Sequence, residues 1–294
     1  MTRSIHLRFG KLPSGLACYP RLVLTHRPPI TEVKDPPEFH AHVERVVLSA
    51  ADMRRYARSC GFVATDGVPA TYPHILATPL HLKIFATEAF PLRPMGLIHV
   101  SNHIEVLGKL SAGMAVAVDV ALRSYCKTEA GMTFDLESRL SSAGRVLWRE
   151  TSVFLSRWPE AVAKKSATRP SRPPKAPKDA HVLEELDVSR RTAWDYARVS
   201  DDYNPIHLSD RAARFFGLRG AISHGMWSLA RSISIGARAV PERTRIDAQF
   251  LTPMQLPSKV VLKEWSEDGA RRRALCDVRT GRVLLYTSWT ATSA

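Results

Sequence analysis

The stretch YARVSDDYNPIHLSDRAA, residues 196–213, guides the interpretation of the whole chain. It places two adjacent acids, Asp201 and Asp202, close to an Asn-Pro pair and a histidine. Asn204 can cap a helix and Pro205 suits the first helical position. Asp202 then lies just before the cap and His207 in the first turn, so one cleft can receive both side chains. A carboxylate beside an imidazole can move protons to and from water or a hydroxyl group.

The residues that follow, HLSDRAARFFG, predict a short helix that ends at Gly217. A plainer interpretation of the pair is that Asp202 shares in helix capping and that His207 packs locally. Taken without their surroundings, one Asp and one His favour this structural interpretation.

A second segment, SHGMW at residues 223–227, changes that balance. After Gly225, apolar residues recur at helical spacing, at Met226, Leu229, Ile233 and Ala237. This spacing predicts a helix over 225–240. Gly225 would begin this helix, where free backbone N–H groups could stabilise an oxyanion and a ligand can approach closely. His224 is interpreted as a buried histidine bonded to the backbone.

The chain also carries signs of an internal duplication. RRYARS (54–59) resembles WDYARVS (194–200), with Tyr56 and Tyr196 140 residues apart. AGRVLWRETS (143–152) resembles TGRVLLYTS (280–288), with the two GRVL pieces 137 residues apart. The shared order and near-equal offsets predict two related halves.

Strand-like segments surround the predicted helices. Alternation of apolar and polar residues, or enrichment in β-branched residues, predicts strands in the ranges 113–125, 143–156, 259–266 and 283–292. Each half is therefore expected to pack a helix on an antiparallel sheet, which is the α+β class. Between the halves, the Pro-, Lys- and Arg-rich run 162–179 predicts an extended linker.

At this point the chain resembles the MaoC-like dehydratases and R-specific enoyl-CoA hydratases. Their signature runs from an aromatic residue through Asp-x-Asn-Pro-aliphatic-His to a small residue. The positions that fit it are Tyr196, Val199, Ser200, Asp202, Asn204, Pro205, Ile206, His207 and Ala213. The segments PATYPHILATPLHLKI (69–84) and FPLRPMGLIHVSNHIEV (90–106) carry a less specific resemblance to the degenerate half of fused members.

The resemblance implies a double hotdog fold, with two antiparallel sheets each wrapped around a central helix. It implies a degenerate N-terminal hotdog over 1–161, a basic linker over 162–180 and a catalytic hotdog over 181–294. Such a chain forms a pseudo-dimer by itself and could also form a homodimer. Because the 140-residue offset sets Asp202 and His207 opposite Phe62 and Gly67, the acid/base pair is expected to be missing from the N-terminal half, where Asp66 lacks the motif around it.

The implied activity is reversible hydration and dehydration between (R)-3-hydroxyacyl and trans-2-enoyl thioesters of CoA or acyl carrier protein. Asp202 and His207 are the implied catalytic residues, and Gly225 supplies the oxyanion N–H. Asn204, Tyr196 and Ser200 are supporting residues. No metal or redox cofactor is implied, since CoA or phosphopantetheine only carries the substrate.

The chain departs from the family pattern at Asp201, where the family has Gly. Asp tolerates positive φ, so the turn can be retained. The extra acid could still raise the pKa of its neighbour or weaken binding of an anionic ligand.

The substrate pocket and its surroundings give weaker expectations. An acyl pocket could be formed by a group of residues that could equally be plain core, namely Phe85, Phe90, Leu92, Met95 and Leu97. The net charge of +14, from 42 Lys+Arg against 28 Asp+Glu, suits the phosphates of CoA or an acidic carrier protein. Candidate cations near the motif are Arg211, Arg214, Arg219 and Arg231.

Composition excludes several other classes. The four cysteines are far apart, which argues against a structural zinc site or a disulfide framework. No signal-peptide core and no apolar run of membrane-spanning length is present, so a cytoplasmic location without a membrane partner is expected. A hotdog thioesterase and a non-catalytic acyl-thioester binder remain alternatives. Nucleic-acid binding through the basic linker ranks last, because no aromatic residues interleave with its charges.

Overall fold

The computed structural model describes residues 3–24, 33, 36–63, 67–158, 175–236 and 242–291. Most of the predicted linker lies outside these residues, and so do Asp66 and Ala237. The boundaries predicted for the two halves therefore stay a prediction.

Eleven strands form one sheet in the order β1-β2-β4-β5-β6-β3-β8-β11-β10-β9-β7. Their bounds are β1 Ser4–Phe9, β2 Glu38–Val47, β3 Ile98–Val106, β4 Ala115–Lys127, β5 Gly131–Ser142, β6 Arg145–Arg157, β7 His181–Val188, β8 Thr244–Phe250, β9 Ser258–Glu267, β10 Ala270–Asp277 and β11 Val283–Ala291. All four segments predicted to be strands are strands.

The strand order reads as two equivalent halves. The order β2-β4-β5-β6-β3 on one side is matched by β7-β9-β10-β11-β8 on the other, and every neighbouring pair within a half is antiparallel. The expected two sheets are joined into one by antiparallel pairing of β3 with β8, in which Asn102 lies opposite Ala248. This pairing satisfies the backbone groups that each half would otherwise leave open at its edge.

Seven α-helices accompany the strands in the described residues. They are α1 Tyr19–Leu24, α2 Ala50–Cys60, α3 Tyr72–Phe85, α4 Arg190–Ser200, α5 Pro205–Leu208, α6 Asp210–Phe215 and α7 Gly225–Ser234. The central helix of the N-terminal half is α3, which packs against β2, β4 and β5. Its counterpart α7 packs against β11 in the C-terminal half. The fold is therefore a double hotdog of the α+β class, as expected.

The two central helices are buried because the sheet surrounds them. Twelve of the fourteen residues of α3 are buried, and so are eight of the ten residues of α7. A helix that buries residues on every side, such as α3, needs this enclosure. Full burial of side chains such as Leu80 and Ile84 stabilises the fold by roughly 2 kcal/mol each.

The repeated sequence pieces occupy equivalent places. Tyr56 on α2 and Tyr196 on α4 are both buried, and their ring centroids lie 6.2 Å apart where the two helices meet. The GRVL pieces follow the β5–β6 and β10–β11 turns, with Gly144 and Gly281 both at positive φ. The duplication read from the sequence is confirmed by the strand order.

Two predicted helices differ from the observed ones. The segment after Asn204 breaks into α5 and α6 at Ser209, whose backbone is extended and whose side chain caps α6 at Ala212 N. The helix predicted over 225–240 ends at Ser234, because Ile235 is extended and Gly236 has positive φ. Turn geometry at single residues thus overrides the apolar periodicity.

All four cysteines are free. None of the helices in the described part of the chain is long and apolar enough to span a membrane.

Candidate active site

A cavity of about 1530 Å³ extends between the two halves. Its wall includes Asp202 from the loop after α4, His207 from α5, Gly225 from the start of α7, and residues of α3 from the N-terminal half. Among the described lining residues, Asp202 is the sole acid, whereas five are cationic: Arg93, Arg157, Lys175, Lys263 and Arg282. The described cavity wall thus carries one carboxylate and five cationic side chains.

The loop that carries the acid is built by backbone geometry at two residues. Asp201, which ends α4, adopts the left-handed conformation with φ 58° and ψ 16°. Asp tolerates that region better than most residues, so the turn is retained without the family Gly. Asn204 caps α5, as predicted, by accepting a hydrogen bond from Ile206 N at 3.3 Å.

Asp202 is held by several donors. One carboxylate oxygen, Oδ1, accepts from the Tyr19 hydroxyl at 2.7 Å and from Asn204 N at 3.2 Å. Burial by itself raises the pKa of Asp202, but His224, His207, the Tyr19 hydroxyl and the Asn204 N–H outweigh burial and hold the pKa below its usual range. The side chain is 32% exposed. Asp202 is therefore an ionised carboxylate that reaches the cavity.

His207 is held in one tautomer. Its Nδ1 lies 2.9 Å from the carbonyl oxygen of Ile222, which can only accept, so Nδ1 carries the hydrogen. Burial lowers the pKa of His207 below its usual value, against the attraction of Asp202. The neutral ring then presents an unprotonated Nε2, which can accept a proton.

His224 is buried and its Nε2 bonds to the backbone oxygen of Asp202 at 3.0 Å. The predicted role of a buried histidine bonded to the backbone is confirmed. The sequence did not show that its ring stacks on His207, with centroids 3.8 Å apart. Burial and then His207 lower the pKa of His224 to about 3, so this ring stays neutral. His224 supports both the acid loop and the His207 ring.

One oxygen of Asp202 and one nitrogen each of His207 and His224 lie within 4.8 Å of one another, a spacing that could suggest a metal. The two rings, however, are stacked with an interplanar angle of 27°. Because ring-nitrogen lone pairs lie in the ring planes, they point in nearly parallel planes here. They do not converge on one ion as a tetrahedral zinc site requires.

Gly225 begins α7, as predicted, and lines the cavity. Its N–H belongs to the first turn, where backbone donors have no partner inside the helix. A Cβ at Gly225 would lie 3.0 Å from the Phe250 ring. Glycine therefore avoids a tight contact with that ring, and the helix start has a backbone N–H without an intrahelical partner beside the cavity.

The two remaining supporting residues act on opposite sides of the loop. Ser200 Oγ donates to the Tyr196 backbone oxygen at 2.8 Å and accepts from Asp202 N at 3.3 Å. The Tyr196 ring packs 5.0 Å from the His224 ring, centroid to centroid. Both line the cavity and fix the start of the acid loop.

The described part of the N-terminal half contributes no carboxylate to the cavity wall, in line with the expected loss of its acid/base pair. Of the predicted pocket residues, Phe85, Met95 and Leu97 line the cavity. Phe90 and Leu92 do not, because both are fully buried core residues. For these two residues the alternative interpretation, plain core, is confirmed.

Sequence reasoning missed a polar group in the N-terminal wall. His74 Nδ1 lies 2.9 Å from the buried Glu150 carboxylate, and Asn102 Nδ2 donates to Glu150 at 2.6 Å. His81 Nε2 lies 2.8 Å from Ser138 Oγ. The spacing of His74, Thr78 and His81 on α3 was the available signal, since it sets them on one helix face.

The cationic residues at the cavity differ from those suggested by proximity in sequence. None of the four arginines named from sequence lines the cavity. Arg231 instead pairs with Glu184 at 2.8 Å and bonds to Ser234, which makes it structural. The cavity cations come from β6, β9 and loops, which only the fold brings together.

Comparison with known proteins agrees with this geometry. Residues 165–285 match the family model described as MaoC like domain. The chain is 29% identical over 280 residues to 3-hydroxyacyl-thioester dehydratase X of Mycobacterium tuberculosis, covering 95% of this chain and 98% of that protein.

Solved structures show the same likeness. A crystal structure of HtdX from M. tuberculosis has a TM-score of 0.75 at 26% identity, covering 86% of this chain and 99% of that one. A MaoC-like dehydratase from Phytophthora capsici shares the fold, with a TM-score of 0.68 at 17% identity over 88% and 96% of the two chains. Residues 165–285 of this chain thus match the MaoC-like family model, and the chain has the double-hotdog fold of these dehydratase structures.

Proposed function

We propose that this protein adds water to trans-2-enoyl thioesters and removes it from (R)-3-hydroxyacyl thioesters. The observation that carries the proposal is the ionised Asp202 carboxylate and the unprotonated Nε2 of His207 beside one cavity. The similarity to a 3-hydroxyacyl-thioester dehydratase over nearly the whole chain supports the same reaction.

In the hydration direction, Asp202 and His207 hold a water molecule. Its oxygen bonds to C3, one of its protons passes through the pair, and a proton is delivered to C2. The thioester carbonyl accepts a hydrogen bond from Gly225 N–H, which stabilises the enolate-like charge formed on the way. Dehydration follows the same steps in reverse, and every atom of water is accounted for without an oxidant.

The substrate carrier is proposed to be anionic, either CoA or the phosphopantetheine arm of an acyl carrier protein. The five cationic residues of the cavity wall support this, since they would attract phosphate groups. The acyl chain is proposed to extend along the N-terminal wall formed by Phe85, Met95 and Leu97. No metal or redox group has a step in this scheme.

The test is hydration of short, medium and long trans-2-enoyl-CoA, followed by loss of the conjugated thioester absorbance and by the stereochemistry of the product. We expect the (R)-3-hydroxy product. Asp202→Asn and His207→Ala should each lower kcat by about 10³-fold, since acid–base groups contribute factors of this order. Release of free thiol would point to a thioesterase instead. Binding without turnover of any CoA or carrier-protein ester would overturn the proposal.

A further inference from the structure

The residue that departs from the family pattern, Asp201, makes contacts that a Gly could not make. Its Oδ2 accepts hydrogen bonds from Gly15 N and, at 3.3 Å, from Leu16 N. These donors, which lie 186 and 185 positions from Asp201 in sequence, belong to the N-terminal segment, defined here as residues 14–24. The side chain of Asp201 therefore ties this segment to the acid loop.

The tied segment delivers Tyr19 to Asp202. Tyr19 is the first residue of α1, is 8% exposed and lines the cavity. Its hydroxyl donates to Asp202 Oδ1 at 2.7 Å. Burial and then Asp202 raise the pKa of Tyr19 far above its usual value, so the phenol stays protonated and acts as a donor. With Asn204 N on the same oxygen, Oδ1 accepts two hydrogen bonds, while Oδ2 lies 3.9 Å from His224 Nε2.

The contact between the segment and the loop is closely fitted. A Cβ on Gly15 would lie 2.9 Å from Asp201 Oδ2 and 3.1 Å from the Asp201 backbone oxygen. The φ of Gly15 is −66°, which any residue can adopt, so it is the close approach that requires Gly. Gly15 and Asp201 thus form one contact that sets the position of Tyr19.

We propose that Tyr19 is a positioning residue for the reaction, which orients the Asp202 carboxylate, and that Asp201 holds Tyr19 in place through Gly15 and Leu16. This inference rests on the proposed function, because it assigns Asp202 a role in proton transfer. It also assigns a role to Asp201 at the position where the family has Gly. The Asp201 side chain accepts hydrogen bonds from the N-terminal segment, which Gly could not do.

The first test compares Tyr19→Phe with wild type in the pH dependence of kcat/KM. Loss of one hydrogen-bond donor raises the pKa of the carboxyl group that accepted it. The acid limb, which is the fall of kcat/KM on the low-pH side of the profile, should therefore move to higher pH by about one unit. We expect kcat to fall about tenfold, as for loss of one hydrogen bond to a charged group, with KM little changed. Tyr125→Phe, which removes a phenol outside the cavity wall, is the matched control and should leave both unchanged.

The groups that face Asp202 from neighbouring elements stay in place in this comparison, namely Tyr196, Asp201, His99, His207 and His224. A shift of the acid limb can therefore be assigned to the lost hydroxyl. The carboxyl resonance of Asp202 can be titrated by carbon-13 NMR in both proteins without any substrate. That titration should show the higher pKa in Tyr19→Phe.

The second test concerns Asp201. Asp201→Gly restores the family residue and suits the turn, yet it removes the acceptor, so it should behave like Tyr19→Phe. Asp201→Asn keeps an oxygen acceptor and tolerates the same conformation, so it should stay close to wild type. Gly15→Ala should behave like Asp201→Gly, because the segment must move. Tyr19→Phe combined with Asp201→Gly should be no worse than either alone, since both break one connection.

An unshifted acid limb and unchanged kcat in Tyr19→Phe would overturn the proposal, and so would wild-type behaviour of Asp201→Gly. If the wild-type protein turns over no thioester, the proposed function fails. The NMR titration still tests the Tyr19–Asp202 contact in that case. An equal Asp202 pKa in wild type and Tyr19→Phe would overturn the inference that Tyr19 acts on Asp202.

Discussion

The N-terminal and C-terminal halves place a central helix against the same arrangement of strands, but they bond their buried polar groups differently. In the N-terminal half, Glu150 has 0% exposure and accepts from His74 and Asn102. In the C-terminal half, the Asp202 side chain is 32% exposed. The Glu150 carboxylate is enclosed by side chains, whereas the Asp202 carboxylate is partly exposed and accepts its hydrogen bonds on Oδ1.

The histidines of the two halves differ in the same way. His74 and His81 bond to side chains, namely Glu150 and Ser138. His207 and His224 bond to backbone carbonyls, which fixes their tautomers. A ring held by a rigid carbonyl keeps its other nitrogen available for chemistry. Burial of acids and histidines alone therefore does not mark an active site. The hydrogen-bond partners of these groups distinguish the two halves.

The largest effect expected from this comparison is on Asp202. Asp202→Asn should lower kcat by about 10³-fold and change the free energy of unfolding by less than about 1 kcal/mol, because the amide has nearly the same shape. Steady-state kinetics and urea unfolding measure the two quantities. A large loss of stability would mean that Asp202 is a structural acid like Glu150.

The opposite result is expected for Glu150. Glu150→Gln should lower the free energy of unfolding by about 3 kcal/mol, because it replaces the fully buried carboxylate that accepts hydrogen bonds from His74 and Asn102. The kcat of the folded protein should stay within about twofold of wild type. Glu137→Gln, on a partly exposed acid paired with Arg139, is the control and should cost less than about 1 kcal/mol. A thousandfold loss of kcat in Glu150→Gln would place catalytic chemistry in the N-terminal half.

A smaller effect is expected from pH, and both halves contribute to it. Burial and a neighbouring histidine lower the pKa of His99 in one half and His224 in the other to about 3. An unfolded histidine binds its proton near pH 6.5, so the unfolded state binds more protons between these values. Stability should therefore fall as pH drops below 6.5, by about 1 kcal/mol per pH unit for each histidine.

Urea unfolding of wild type and His99→Leu at pH 7.5, 6.5 and 5.5 measures this dependence. The slope below pH 6.5 should be smaller in the variant, because one of the histidines with a lowered pKa is gone. An unchanged slope would show that His99 takes up a proton in the folded protein.

The smallest effect is expected from metal removal. Because the stacked His207 and His224 rings do not converge on one ion, incubation with a chelator should leave kcat unchanged within error. Loss of activity that zinc restores would contradict the scheme in which Asp202 and His207 act without a metal ion.

Local sequence determined much of this protein. The α+β class, the duplication and the helix caps follow from spacing and turn residues, because these act over a few neighbouring positions. The acid loop, with Asp201 at positive φ and Asn204 as cap, was predicted from the same short-range rules.

The tertiary structure decided what lies far apart in the chain. The tie between Asp201 and Gly15, the stacking of His224 on His207 and the Glu150 pair join elements that no spacing rule connects. The cationic residues of the cavity likewise come from several strands and loops. The physical reason is that side-chain bonding and burial depend on which surfaces the whole fold brings into contact, and residue type and local spacing do not encode that contact.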